Sequence, residues 1–194
     1  MSIRKKMQEL KRELILEEAG RLFNQDGYEN MKVADLAKNV EVSVGTIYSL
    51  FESKENLYSA FIIAQIEHFS KIFQEELQKC DSTMKKLHKM VEIKFTAMIQ
   101  NHNALRESIG NDPTVFLTQA KGENPIDGIY HMMATDVMAP LKNEFNCSRN
   151  PMEMVYLFDG LTIGQIKYCV RFEIDLMSRQ DDVVNNFLKL IKED

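Results

Sequence analysis

The sequence predicts an all-α protein of two helical units, and three observations carry that expectation. Apolar residues recur along most of the chain at spacings of three and four, the period of a helix. Runs that alternate apolar and polar residues with β-branched side chains are almost absent, so strands are not expected. Ser43, Ser53, Asn124-Pro125 and Asn150-Pro151 stand just ahead of apolar-periodic segments, where helices need a cap or a starting proline.

Composition narrows the class. A chain of 194 residues, 44% hydrophobic and 27% charged, can form one large or two small globular units with cores of their own. No apolar run reaches the roughly 18–20 residues that cross a bilayer, and Met1-Ser2-Ile3-Arg4-Lys5-Lys6 leads into charge rather than an apolar signal core. A cytoplasmic protein with no membrane partner is therefore expected. Cys80, Cys147 and Cys169 are far apart with no Cys-x-x-Cys pair, which argues against structural disulfides and a zinc site. His68, His88, His102 and His131 are scattered, and neither a phosphate-cradling glycine loop nor a nucleophile elbow is present. The chain is expected to be no enzyme, with no catalytic residues, metal or cofactor.

The first helix is expected over roughly Lys5–Asn24, with Ile15, Ala19, Leu22 and Phe23 as its apolar stripe and Gly27 as a left-handed stop. Next, Val33, Leu36, Ala37 and Val40 repeat at helical spacing, and Glu41-Val42 interrupts them. Ser43 can cap a second short helix by accepting from the N–H of Gly45 or Thr46. Ile47, Leu50 and Phe51 then point inward, leaving Val44, Gly45, Thr46, Tyr48 and Ser49 outside. Two short helices joined by a tight turn, the second starting with small residues, form a helix-turn-helix suited to a DNA major groove. The net charge of −5 is unhelpful for that role. Basic charge concentrates instead in Arg4, Lys5, Lys6, Lys11 and Arg12, against Glu9 alone in the same stretch.

These residues carry a resemblance. Ile15-Leu16-Glu17-Glu18-Ala19, Leu22-Phe23, Gly27-Tyr28, Val33-Ala34-Asp35-Leu36-Ala37, Val42-Ser43-Val44-Gly45-Thr46-Ile47-Tyr48, Phe51, Ser53-Lys54-Glu55 and Leu57 resemble, in type and spacing, the TetR family of bacterial transcriptional regulators. The chain departs from the usual pattern at Glu41, where the family often has glycine, at Met31-Lys32, where it often has a capping threonine, and at Ser49-Leu50, where it often has aromatic or histidine residues. The resemblance implies operator DNA as partner, with Lys32, Ser43, Val44, Gly45, Thr46, Tyr48, Ser49 and Lys54 at the interface. Of these, Val44, Gly45, Thr46 and Ser49 are expected at base edges, and Tyr48 and Lys54 at the backbone.

Ser53 is expected to cap a long helix to about Lys79 with Ile62, Ile66, Phe69, Phe73 and Leu77 on one face. The domain boundary is placed inside it near Ser59, giving residues 1–58 to DNA binding and 59–194 to ligand binding and dimerisation. A helix over 82–101 follows, with Lys94 beside its stripe and expected to snorkel. Short helical pieces are expected at Ala104–Ile109 and after Asp112-Pro113. The helix opened by Asn124-Pro125 should kink or end at Pro140, a long apolar helix should run from Met152 to about Phe172, and a last one from Arg179 to Ile191.

The long helix after Pro151 is apolar on more than one face, and Gly160 and Gly164 would let another helix approach closely. The resembling family pairs its last two long helices across a two-fold axis. A homodimer interface including Gly160, Gly164, Val184 and Phe187 is expected accordingly. The 12 methionines are mostly beyond the linker helix, and this flexible, polarizable side chain suits an adaptable pocket. Phe95, Met98, Phe116, Tyr130, Met133, Val137 and Tyr156 are its candidate walls. With no clustered Arg or Lys there, a small apolar or aromatic effector, neutral or cationic, is expected. The expected function is a regulator, a repressor released by that effector. The alternative is control by a partner protein or by oxidation of Cys147 or Cys169.

Overall fold

Every regular element among the described residues, 2–101 and 125–192 of the computed structural model, is a helix. The pieces expected at Ala104–Ile109 and after Asp112-Pro113, and the candidate wall residue Phe116, lie outside the described residues.

Helix α1, Ile3–Asn30, starts where Ser2 Oγ accepts from the Lys5 N–H at 3.3 Å. Ile15, Ala19, Leu22 and Phe23 are buried, as their spacing predicts. Gly27 (φ 76°, ψ 168°) breaks the helix before a last turn to Asn30. This is not the left-handed helical stop expected. It is an extended backbone at positive φ that is essentially glycine-only.

Helix α2, Val33–Asn39, begins at Lys32 with no side-chain cap. The preceding Met31 is buried and serves the core where a capping residue could have stood. The chain leaves α2 through Glu41, whose φ of 54° is left-handed. There the Val42 N–H donates to the Ala37 carbonyl at 2.9 Å and the Glu41 N–H to Lys38 at 3.3 Å, closing the helix end. Helix α3, Val44–Phe51, buries Ile47 and Phe51. Helix α4, Lys54–Gln78, is capped by Ser53 Oγ, which accepts from the Asn56 N–H at 3.1 Å.

An aromatic cluster holds the N-terminal unit together. Phe23 meets Tyr58 edge-on at 5.0 Å between ring centroids, and Phe61 lies 5.5 Å from Phe23. Gly20 makes this possible: a Cβ there would sit 2.7 Å from Phe61 Cε2. Chain contacts divide the described residues within α4, between Glu67 and His68, further along the helix than Ser59.

The second unit contains the remainder of α4, α5 (Thr83–Gln100), α6 (Pro125–Met133), a π-helical turn (Ala134–Met138), α7 (Ala139–Phe145), α8 (Pro151–Phe172), a 3-10 turn (Met177–Arg179) and α9 (Gln180–Lys192). Its core includes Leu87, Val91 and Phe95 of α5, Val137 and Met138 of the π turn, Met154, Val155 and Phe158 of α8, and Val184 and Phe187 of α9. Phe158 and Phe187 meet edge-on at 5.1 Å. Val184 and Phe187 are therefore core residues and not the dimer contacts expected. The apolar stripe of α9 is covered within its own subunit, by α5 and α8.

Pro140 acts differently from a simple kink. It has no N–H to offer the carbonyl four residues back. The backbone widens to a π turn just before it, and the carbonyl in question, that of Asp136, accepts from Lys86 Nζ at 3.2 Å.

Gly20→Ala tests the aromatic cluster. The added methyl must displace a ring fixed by its neighbours, so stability should fall by about 1–3 kcal/mol, read from chemical denaturation. An unchanged midpoint would show that the ring is free to shift.

Candidate nucleic-acid interface

Helix α3 presents the expected side to solvent. Val44, Gly45, Tyr48 and Ser49 are exposed, Thr46 is half-buried, and Ile47 and Phe51 are buried beneath them. Ser43 Oγ accepts from the Thr46 N–H at 3.1 Å and lies 2.9 Å from Thr46 Oγ1. Both hydroxyls thus help to start the helix, leaving the Thr46 methyl and the Val44 side chain as apolar contact groups. Among the described residues, a Cβ on Gly45 would have only Ser43 Oγ near it, at 3.8 Å. Nothing inside the domain requires glycine there.

Two basic residues anchor this surface from below. Arg12 Nη1 donates to the Leu50 carbonyl at 3.2 Å, and its guanidinium lies 4.4 Å from the centre of the Phe51 ring. It places positive charge at the C-terminal end of α3, where the helix dipole favours it. By sequence Arg12 belongs to the basic arm, and Leu50 lies too far along the chain for any local spacing to signal the clamp. Lys54 Nζ donates to the Glu29 carbonyl at 3.1 Å and lies 4.8 Å from the Tyr28 ring centre. Lys54 thus ties the start of α4 to the end of α1 while remaining partly exposed. Lys32 is exposed. At the other end of α2, Asn39 Nδ2 donates to Glu18 Oε1 at 2.6 Å. Arg21 chiefly, and Asn39 with it, hold the Glu18 carboxyl below its ordinary pKa.

In the second unit, Phe95, Met98, Met133 and Val137 are buried on α5, α6 and the π turn, and Tyr130 is half-buried. Tyr156 is 60% exposed and does not wall an enclosed site, although its ring meets Tyr130 edge-on at 5.1 Å. It points outward because Met154 and Val155 take the inward positions of α8. Lys94 does not simply snorkel. Its ammonium pairs with Asp159, whose other oxygen accepts from Tyr130 Oη at 2.8 Å. This partly buried polar set joins α5, α6 and α8, and it was missed because the partners are distant in sequence. Gly160 and Gly164 are exposed, and among the described residues an added Cβ on either would meet nothing within 4 Å. With Tyr156, Tyr168 and Phe172, also exposed, they form one side of α8. Cys147 and Cys169 are buried. Among the described residues, no three His, Cys, Asp or Glu gather where they could hold a metal ion, and no helix is long and apolar enough to cross a membrane.

Comparison with known proteins agrees with this geometry. Residues 15–61 match the family described as bacterial regulatory proteins, tetR family. An uncharacterized HTH-type transcriptional regulator of Bacillus subtilis, YhgD, is 26% identical over 163 residues, 82% of this chain and 73% of that protein. The fatty acid degradation regulator FadR of Bacillus halodurans superposes with a TM-score of 0.74 at 18% identity, over 92% of this chain and 94% of its own. The transcriptional regulator FadR of Bacillus subtilis, solved in complex with stearoyl-CoA, superposes with a TM-score of 0.70 at 16% identity, over 90% and 96%.

Two substitutions separate reading from scaffolding. Gly45→Ala should leave stability unchanged or raise it by up to about 1 kcal/mol, because alanine favours helix and has room, while operator binding falls in a gel-shift titration. Lys54→Ala should weaken binding to all sequences alike and flatten the salt dependence by roughly one unit. Loss of the Glu29 bond should also cost it about 1 kcal/mol of stability. A stability loss with an unchanged salt slope would make Lys54 purely structural.

Proposed function

We propose that this chain, a TetR-family transcriptional regulator, is a homodimeric repressor released from its operator by a small, largely apolar effector. The observation that carries the reading is α3 itself. Its inner side is locked by Ile47, Phe51 and Arg12, and its outer side exposes Val44, Gly45, Tyr48 and Ser49 with open space over the glycine. A helix held that firmly, with small residues at its start, suits close approach to base edges. Ser49 and the Thr46 methyl extend the reading side, while Lys32, Tyr48, Lys54 and the basic arm meet phosphates.

Dimerisation supplies the second reading head. The exposed side of α8, with Gly160 and Gly164 between aromatic residues, supports a helix-to-helix contact with a second copy. We assign residues 1–58 to DNA reading and 59–194 to dimerisation and effector binding. Phe95, Met98, Met133 and Val137 support an effector with substantial apolar surface. The stearoyl-CoA bound by the Bacillus subtilis FadR suggests a long acyl chain as one form of it. Effector binding would favour an arrangement in which the two heads no longer match half-sites about 34–36 Å apart. Control by oxidation is the weaker reading, since Cys147 and Cys169 are both buried.

Sedimentation tests the dimer. The wild type should be dimeric at micromolar concentration, and Gly160→Leu or Gly164→Leu should weaken association by about tenfold or more without changing the monomer fold. A monomeric wild type would remove both the dimer and the two-headed reading. Acyl compounds and apolar amines that bind should raise the melting temperature and weaken the operator complex by about 1–3 kcal/mol. A panel with no thermal shift would turn the reading toward a partner protein.

A further inference from the structure

The first half of α1 carries an apolar stripe that is left exposed among the described residues. Ile3, Met7, Leu10 and Leu14 are 82%, 62%, 51% and 54% exposed. Their spacings of four, three and four align them along one side of the helix. Ile15, Ala19, Leu22 and Phe23, which pack into the N-terminal unit, belong to a different side. Arg4 and Lys11 border the exposed stripe on one flank and Lys6 on the other, with Glu13 beyond Lys6. The stripe lies ahead of residues 15–61, which carry the family match, and its apolar side chains have no part in the phosphate contacts proposed for the basic arm.

The flanking charges discriminate among three occupants. Operator phosphates would satisfy Arg4, Lys6 and Lys11 but would leave four apolar side chains against a hydrated, charged backbone. A second copy meets conflicts in either direction. Treated as a coiled-coil seam, a parallel pair sets Lys6 against Lys11, and an antiparallel pair gains Lys6–Glu13 but opposes Arg4 to Lys11. An anionic lipid surface satisfies both chemistries at once. Apolar side chains enter the headgroup boundary while flanking Lys and Arg remain among acidic headgroups.

We propose that the N-terminal half of α1 is an interfacial helix that docks the protein on anionic lipid bilayers. This is a surface association, distinct from the spanning helix that the sequence lacks, and it stands whether or not the repressor reading holds. One short stripe without Trp or Phe gives reversible docking, dependent on both the apolar residues and low salt.

The test uses the full chain with vesicles of phosphatidylcholine alone or mixed with phosphatidylglycerol, separated by flotation. Wild type should float with the phosphatidylglycerol vesicles, about tenfold more than with phosphatidylcholine, and less as salt rises. Met7→Gln/Leu10→Gln should lose most of that binding while keeping the wild-type thermal melt and operator affinity. A second variant, Ile3→Gln/Leu14→Gln, should behave alike. No flotation of the wild type overturns the proposal. So does equal flotation of the variants, which would mean adsorption by charge alone. A smaller assembly in sedimentation for the variants would assign the stripe to a second copy, and a parallel loss of operator affinity would assign it to DNA; either outcome overturns it.

Discussion

An eight-residue helix has too few internal hydrogen bonds to persist in water by itself. The candidate reading surface therefore depends on what holds α3 from behind. The close approach of α1 to α4 at Gly20 and Phe61 sets the frame, and Phe23 and Tyr58 complete it. Ile47 and Phe51 extend that core into α3, and Arg12 ties its last turn back to α1. The outward groups of α3 are placed by this inner packing, so the outer residues carry no duty in the core and are free to vary.

Several polar residues of the N-terminal unit serve its own backbone first. Ser43 and Thr46 start α3, Ser53 starts α4, and Lys54 satisfies a carbonyl at the end of α1. Glu41 accepts a left-handed backbone where glycine would be unstrained, because the turn must bring the Val42 N–H back onto Ala37. Short helices have a high ratio of ends to middle. Their caps and termini consume side chains that a longer helix would leave for solvent.

The second unit treats polarity in another way. Within an apolar packing of α5, the π turn, α8 and α9, Lys94, Asp159 and Tyr130 satisfy one another across three helices. A charge in such surroundings persists only when paired and hydrogen-bonded. Lys86 does comparable service at the surface, covering the carbonyl that Pro140 strands. Both are tertiary repairs of local deficits.

The sequence by itself determined the helical class, most helix starts and the inward and outward sides of α3. Those properties are written in short-range spacing and in capping residues within a few positions of each other, as at Ser43 and Thr46 or Asn150 and Met152. The same spacing made Ile47 and Phe51 core and left Val44, Gly45, Tyr48 and Ser49 outside. What the periodicity could not settle is which partner covers a given apolar stripe. Only the tertiary structure decided that Val184 and Phe187 belong to the subunit core, that Tyr156 faces outward, and that Ile3, Met7, Leu10 and Leu14 are left exposed among the described residues. It also decided that Lys94 pairs with Asp159 and that Arg12 clamps α3. A helical repeat specifies that a side is apolar, whereas its cover, and the partner of a long charged side chain, come from residues distant in sequence that only folding brings near.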